Sequence, residues 1–413
     1  MYLQSLLGIL VILAIAWLSS EHRRKINWRL VSTGLALQAL IALLLLKVPL
    51  SQRVFLMLNR VIMALDASTQ AGTSFVFGYL GGGEPPFEVT SPSSLMILAF
   101  RGLPVLLVIS ALSSLLFYWK VLPAVVKGFS ALLQKSLRIG GAEGLGVGGN
   151  IFMGMVEAPL LIRPYVVSLT RSELFTIMTC GMATIAGTVM VLYAHILSDV
   201  IPNSLGNILT ASVMNAPAAI VISKLLIPET APLTPAEIVD PEPAHNSMDA
   251  ITRGTIRGVQ LLINIVAMLL VLVALVYLVN LILGLLPWSG PTPLTLQWIL
   301  GTVLAPFTWL LGIPWSEAVT AGRLLGTKTI LNELVAYLDM SRLPAGALGT
   351  RSLVIMTYAL CGFANPGSLG IMIGGLGTMA PSRRGEIVEL GLRSILAGTL
   401  STCLTGALVG VIL

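Results

Sequence analysis

Charge is scarce in this chain. Asp, Glu, Lys and Arg together make up 10% of its 413 residues, while apolar types reach 56%. A water-soluble domain covers itself with roughly 25% charged residues, so this sequence cannot be clothed for water. A mean hydropathy of +0.92 makes lipid its solvent. Cysteine is nearly absent as well. Cys180, Cys361 and Cys403 fall inside apolar stretches without paired spacing, which excludes a disulfide framework and points to buried free thiols. The three histidines, His22, His195 and His245, are scattered, so no metal-ligand cluster follows from them. A metalloprotease His-Glu-x-x-His, a Walker loop and a nucleophile elbow are all missing. The glycine-rich run 144–149 follows no strand and so does not read as a phosphate cradle, and Gly370 and Gly374 form a GxxxG read as helix packing. The net charge of +6 sits mostly in short clusters flanking apolar runs. Such clusters set membrane topology by staying in the cytoplasm, and they do not call for a nucleic-acid partner.

What the chain does have is long apolar runs, near 2–19, 29–50, 94–118, 174–197, 205–227, 258–287, 294–312, 352–376 and 390–413. Each approaches the roughly 20 residues that a helix needs to cross hydrocarbon. The first run lacks a basic segment before it, and its positive charge, Arg23-Arg24-Lys25, lies after it. That order makes it a transmembrane helix with its N-terminus outside, not a signal peptide. The second run exits near Leu50. Residues 51–80, with Arg53, Asn59, Arg60 and Asp66, read as an interfacial amphipathic helix leading into a Gly/Pro loop from Gly81 to Pro92. Tyr118-Trp119-Lys120 is an interfacial anchor, and 121–138 reads as a helix on the cytoplasmic face. The linker from Pro228 to Asp249, rich in Pro, Glu and Asp, reads as a flexible cytoplasmic loop dividing the chain into halves. Ser382-Arg383-Arg384 marks a later cytoplasmic turn, which leaves the C-terminus outside as well.

Two stretches, 141–163 and 314–340, break this alternation. Each is apolar, yet each carries a glutamate in its middle, Glu157 or Glu333, flanked by Gly, Asn or Pro. Both fit as re-entrant helical hairpins, which a bilayer tolerates only where protein or a water-filled cavity surrounds the broken backbone. An apolar helix with a central break follows each hairpin, first at Ala183-Thr184-Ile185-Ala186-Gly187-Thr188 and then at Gly362-Phe363-Ala364-Asn365-Pro366-Gly367-Ser368. Paired interrupted segments in corresponding positions point to a transporter's binding site. The expected fold is therefore an all-α polytopic membrane protein with about eight transmembrane helices, two re-entrant hairpins and interfacial helices, built around two repeated hairpin/broken-helix units.

A carboxylate at membrane depth costs about 2.5–3.5 kcal/mol on insertion scales and needs a partner or a purpose. A structural ion pair with Arg163 or Lys328 is one reading, and a ligand or cation site is the other. Two such acids, each beside a helix break, favour the second. Ser316 reads as a helix cap with Glu317 in the first turn, and Arg163 as snorkelling from the end of its hairpin. Asn150, two helical turns ahead of Glu157, and Thr184 supply side-chain oxygens of the kind a hard cation requires.

The runs Gly72-Thr73-Ser74-Phe75-Val76-Phe77-Gly78, Asn150-Ile151-Phe152-Met153-Gly154-Met155-Val156-Glu157-Ala158-Pro159-Leu160, Asn332-Glu333-Leu334-Val335-Ala336-Tyr337 and Cys361-Gly362-Phe363-Ala364-Asn365-Pro366-Gly367-Ser368 resemble signature segments of concentrative nucleoside transporters. The resemblance extends to Ser382-Arg383-Arg384-Gly385 and covers nearly the whole chain. It implies a sodium-coupled symporter importing nucleosides across a bacterial inner membrane by alternating access, assembled as a homotrimer in lipid. Glu333, Asn365 and Ser368 would hold the ribose, with Phe363 lining the same pocket. Glu157 and Val189 would face the nucleobase. Na⁺ would bind the side chains of Asn150 and Thr184 and the carbonyls of Met153 and Ile185. The family usually places Gln and then Thr or Ser just before the first acid. This chain has Met155 and Val156 there, which removes two groups that would read the base edge. The implied organisation is a scaffold of 1–120 and 258–313, transport units at 121–227 and 314–381, a linker at 228–257 and a last helix at 382–413. Proton coupling through Glu157 or Glu333 is the alternative. An intramembrane enzyme using paired carboxylates is a more distant one, for which the sequence offers neither nucleophile nor metal.

Overall fold

The computed structural model describes residues 2–89, 97–155, 157–235, 244–288 and 294–413. Among these residues the chain is helical throughout, without strands. In order the helices are α1 (Tyr2–Leu18), α2 (Trp28–Lys47), α3 (Pro49–Phe77), α4 (Val105–Tyr118), α5 (Val121–Leu137), α6 (Gly141–Asn150), α7 (Glu157–Leu160), α8 (Arg171–Ala183), α9 (Gly187–Ile196), α10 (Ser204–Leu226), α11 (Ser247–Leu283), α12 (Leu296–Leu310), α13 (Trp315–Ile330), α14 (Glu333–Ser341), α15 (Thr350–Leu360), α16 (Pro366–Met379) and α17 (Arg384–Ile412). Six described segments are long and apolar enough to cross a membrane: α2, α4 with the turn before it, α8 with α9, α10, α11 and α17. Helix α1 is apolar but only 17 residues long, and α12 with α13 forms a pair bent by 117°, which would make a seventh crossing if counted as one span.

The two stretches that disturbed the alternation are short paired helices. At 1.5 Å per residue, the 10 residues of α6 reach about 15 Å, half the hydrocarbon thickness. The chain then turns and comes back as α7. The second hairpin pairs α13 with the 9-residue α14. Each broken helix has a chemical cause for its second start. Asn365 caps α16 by accepting from the Ser368 N–H at 2.8 Å, and Pro366 stands at N1, where no helical donor is lost. Gly187 opens α9 after an extended Ala186.

Helices α8, α10, α15 and α17 pack on one another and form the centre. Helix α10 is buried on nearly every side, whereas α11 packs along α4 and leaves most of its apolar surface uncovered. At one end of the bundle, the start of the linker, the Arg23 loop and the Arg383 turn come together. The Glu21 N–H donates to the Leu226 carbonyl at 2.9 Å, Glu21 pairs with Arg171 at 3.0 Å and with Arg393, and Arg383 pairs with Glu386 at 2.7 Å. The three features assigned to one face by their charge therefore share it. Burial pushes the Glu21 carboxyl up, but Arg171 and Arg393 outweigh it and hold the group below its ordinary value.

Three local expectations need correction. Ser316 lies inside α13, which starts at Trp315 with Pro314 before it, so it caps nothing. Glu317 does sit in that first turn, and its carboxylate accepts from the Gly349 N–H at 3.1 Å, at the start of α15. Helix α11 begins at Ser247, well ahead of 258, because Asn246 caps it through the Asp249 N–H. The linker's first residues are also pinned, not loose. Glu173 accepts from the Thr234 N–H at 2.9 Å and the Thr234 hydroxyl at 2.7 Å, while Lys224 bonds Glu229 at 3.2 Å. The middle of the linker, 236–243, and the end of the loop before α4, 90–96, lie outside the described residues.

Lys224 also forms an ion pair with Glu143 at 2.9 Å, with both side chains almost fully buried. Removing one member of such a pair strands the other charge. Lys224→Met is expected to lower stability by about 3–5 kcal/mol, read as a depressed melting temperature of the detergent-purified protein. The double variant Glu143→Gln/Lys224→Met should recover most of that loss. Equal melting of the single variant and the parent would refute the pairing.

Candidate functional site

Each hairpin delivers its acid at the first residue of its second helix. Glu157 opens α7, and its carboxylate accepts from the Gly154 N–H at 3.0 Å. Glu333 opens α14 because Asn332 caps that helix through the Val335 N–H at 2.9 Å. A helix N-terminus favours a carboxylate by its partial positive charge. Glu333 is 4% exposed and holds two partners. The Tyr193 hydroxyl donates to one oxygen at 2.5 Å, and the Asn365 amide donates to the other at 3.4 Å. Glu157 is half-buried.

The two helix breaks are tied together. Asn215, fully buried on α10, donates from its single amide nitrogen to the Ala183 carbonyl at 2.8 Å and the Cys361 carbonyl at 2.7 Å. These carbonyls belong to the interrupted ends of α8 and α15. The Gly187 N–H donates to the Phe152 carbonyl at 3.0 Å, joining the first break to the tip of the first hairpin. Both approaches need glycine. A Cβ on Gly362 would lie 2.6 Å from the Ala183 oxygen, and one on Gly187 would lie 2.7 Å from the Phe152 oxygen.

Between the breaks and the hairpin tips lies a cavity with about 1030 Å³ of atom-free space, open mouth included. Met155, Glu157, Val189, Glu333, Phe363, Asn365 and Ser368 all line it, so seven of the eight residues expected at a substrate site converge there. The eighth, Val156, lies outside the described residues. The simple ion-pair reading of the two acids has no support among the described residues: neither Glu157 with Arg163 nor Glu333 with Lys328 forms a salt bridge there. Arg163 is exposed. Lys328 is fully buried and donates instead to the Ala359 carbonyl at 2.9 Å and the Thr402 hydroxyl at 2.8 Å. Glu157 and Thr188 also border a second cavity, lined further by Ser110, Ser113, Ser114 and Arg257.

The four residues expected at a cation site lie on packed elements, with α6 against α8. The Asn150 amide nitrogen donates to the Gly146 carbonyl at 3.1 Å, while its oxygen is buried without a hydrogen-bond partner. An orphaned buried oxygen is costly unless something else occupies it. The Thr184 hydroxyl donates to the Cys180 carbonyl at 2.8 Å, which leaves its oxygen free to accept. Ile185 is buried and Met153 half-buried. No group of three or more His, Cys, Asp or Glu able to hold a metal occurs among the described residues. The donor set is neutral oxygen, which suits a hard monovalent cation better than a transition metal.

Family models match along the chain: "Na+ dependent nucleoside transporter N-terminus" over residues 7–80, "Nucleoside recognition" over 99–200 and "Na+ dependent nucleoside transporter C-terminus" over 207–410. A Bacillus subtilis protein described as an uncharacterized transporter is 39% identical over 99% of this chain and 98% of its own. The nucleoside permease NupC of Helicobacter pylori is 35% identical over 98% and 96%. The solved structure of CNTnw in an inward-facing substrate-bound state superimposes with a TM-score of 0.90 at 37% identity, covering 99% of this chain and 98% of that one. The chain belongs to the concentrative nucleoside transporter family. It is a nucleoside transporter of that family, and not an enzyme.

Sequence reading missed some of this transporter's cavity wall. Tyr193 follows Val189 by one helical turn and shares its face, a spacing that could have flagged it. Leu261, Asn264, Ile265, Met268 and Leu272 line the cavity from α11, at three- and four-residue intervals that mark one stripe of a helix. Asn215 was invisible, because a lone Asn in an apolar helix has many possible partners. The close approach at Gly362 carries a test in this transporter. Gly370 and Gly374, read from the sequence as packing glycines, face open space instead. Gly362→Ala is therefore expected to abolish nucleoside uptake by pushing the two breaks apart, while Gly370→Ala should retain uptake near the parental rate. Equal uptake by both variants in proteoliposomes would show that the close packing of the breaks is dispensable.

Proposed function

We propose that this transporter is a Na⁺-coupled symporter that carries nucleosides inward across a bacterial inner membrane, with both termini outside. The observation that carries the reading is the convergence of Glu157 and Glu333, from separate repeats, on one cavity beside two unwound helix breaks. In this reading Glu333, Asn365 and Ser368 hold the ribose. A carboxylate accepts from vicinal hydroxyls, and an amide and a hydroxyl beside it both donate and accept. Phe363 covers the sugar. Glu157, Val189 and Met155 meet the base, with Val156 beside them in sequence.

Na⁺ binds Asn150 and Thr184 through their side-chain oxygens and Met153 and Ile185 through their carbonyls. The ion fills the vacant valence of the Asn150 oxygen and fixes the first hairpin against the first break. Because Gly154, Met155 and Glu157 follow Met153 directly, fixing that turn also shapes the base pocket, and the two ligands favour each other. One positive charge crossing about 150 mV gains roughly 3.5 kcal/mol. A tenfold Na⁺ gradient adds about 1.4 kcal/mol. Together they support accumulation on the order of a thousandfold.

The hairpins and broken helices of 121–227 and 314–381 move as one body against a scaffold of 1–120 and 258–313. The uncovered apolar length of α11 supports a homotrimer in which that helix meets neighbouring subunits or lipid.

The test is uptake by proteoliposomes under an imposed Na⁺ gradient. Glu333→Gln is expected to abolish uridine and adenosine transport alike, since both carry the same sugar. Met155→Gln should leave transport intact and reorder the preference among bases. Normal transport by Glu333→Gln would remove the ribose assignment. Uptake that persists without Na⁺ and collapses with a protonophore would replace sodium by proton coupling.

A further inference from the structure

The assigned sugar-binding groups all come from the second repeat: Glu333 from the hairpin, Asn365 and Ser368 from the broken helix. Tyr193 comes from the first. It lies on α9, is 2% exposed and borders the cavity, and its hydroxyl donates to Glu333 at 2.5 Å. Its ring packs on Tyr337 with centroids 5.2 Å apart, and the Tyr337 hydroxyl is itself anchored on the Thr357 carbonyl at 2.8 Å. The start of α9 is held by the Gly187 N–H on Phe152. The phenol is therefore fixed from both sides before any substrate arrives.

Counting acceptor positions gives this contact a purpose. A carboxylate offers about four lone-pair directions, two on each oxygen. Tyr193 fills one on the first oxygen and Asn365 fills one on the second. One position then remains on each oxygen, and a vicinal diol brings two hydroxyl donors. We propose that Tyr193 is the positioning residue that sets the specificity of Glu333 for a sugar with two adjacent hydroxyls. It rotates the carboxylate so that one free lone pair on each oxygen faces the cavity, and it denies the spare position to water. A sugar lacking one hydroxyl then leaves a buried acceptor unpaired, which is the costly case. This inference rests on the ribose assignment made above.

Tyr193→Phe keeps the ring on Tyr337 and removes the hydroxyl alone. In proteoliposomes the variant should raise KM for uridine and adenosine together by about tenfold, as for one lost hydrogen bond to a charged group, with maximal rate within about twofold. The discriminating readout is the ratio of KM for 2′- and 3′-deoxyuridine to KM for uridine. That ratio should fall towards unity in the variant, because a carboxylate free to turn and take up water no longer penalises a missing hydroxyl. Each ratio is measured within one protein, so a loss of folded material does not alter it. An unchanged ratio overturns the proposal, and so does a fall in maximal rate with KM and ratio unaltered. Glu333→Gln separates failure of the ribose site from failure of the Tyr193 role. If it transports normally, the ribose assignment itself fails. If it is inactive while Tyr193→Phe discriminates like the parent, only the role of Tyr193 fails.

Discussion

Unwound backbone cannot stand in hydrocarbon without partners, and this constraint organises the molecule. Each unpaired amide or carbonyl at membrane depth costs several kcal/mol. The chain nevertheless interrupts two helices where the site is built. It can do so because Asn215 bonds the freed carbonyls of both breaks at once, Gly187 donates across to the tip of the first hairpin, and Asn365 and Asn332 cap the helices that restart. The breaks thereby become fixed polar surfaces. A bundle without these caps would have to continue each helix through, and the cavity would close.

The charges follow the same logic. Among the described residues, five acidic or basic side chains, Glu143, Glu173, Lys224, Lys328 and Glu333, are nearly or fully buried. Four of them have charged or polar partners within the fold. Glu143 pairs with Lys224, Glu173 takes the backbone and hydroxyl of Thr234, and Lys328 binds a carbonyl and a hydroxyl. Glu333 differs in that it also borders a cavity, where acceptor capacity remains beyond its two donors. The buried oxygen of Asn150 is a second unsatisfied acceptor. Buried oxygens without a hydrogen-bond partner occur elsewhere too, on Gln38 and Asn215 among others; what sets Glu333 and Asn150 apart is that one lines the cavity and the other lies on the hairpin that delivers Glu157 to it.

Much of this was legible in the sequence because it was written in residue types that have few other uses. Two glutamates, each beside a helix break in an apolar run, favoured a site over a structural ion pair, and Asn365-Pro366 names a helix start outright. Helix ends close to polar caps were harder to place. Helix α11 began earlier than hydropathy allowed because its first turns are polar and held by Asn246, not by an apolar face. Ser316 looked like a cap, yet the helix starts one residue before it. What the sequence could not reveal was pairing across the fold. Tyr193 meets Glu333 over 140 positions and Asn215 meets Cys361 over 146, and neither contact leaves a local pattern.

In the proposed mechanism one nucleoside binds where the two repeats meet, with its sugar on the second and its base on the first. A structure determined with uridine and Na⁺ tests it most directly. Both ribose hydroxyls are expected within hydrogen-bonding distance of Glu333, with the base beside Glu157 and Val189 and an ion on the Asn150 oxygen. Uridine bound with its sugar turned to Glu157, or lodged away from both acids, would contradict it.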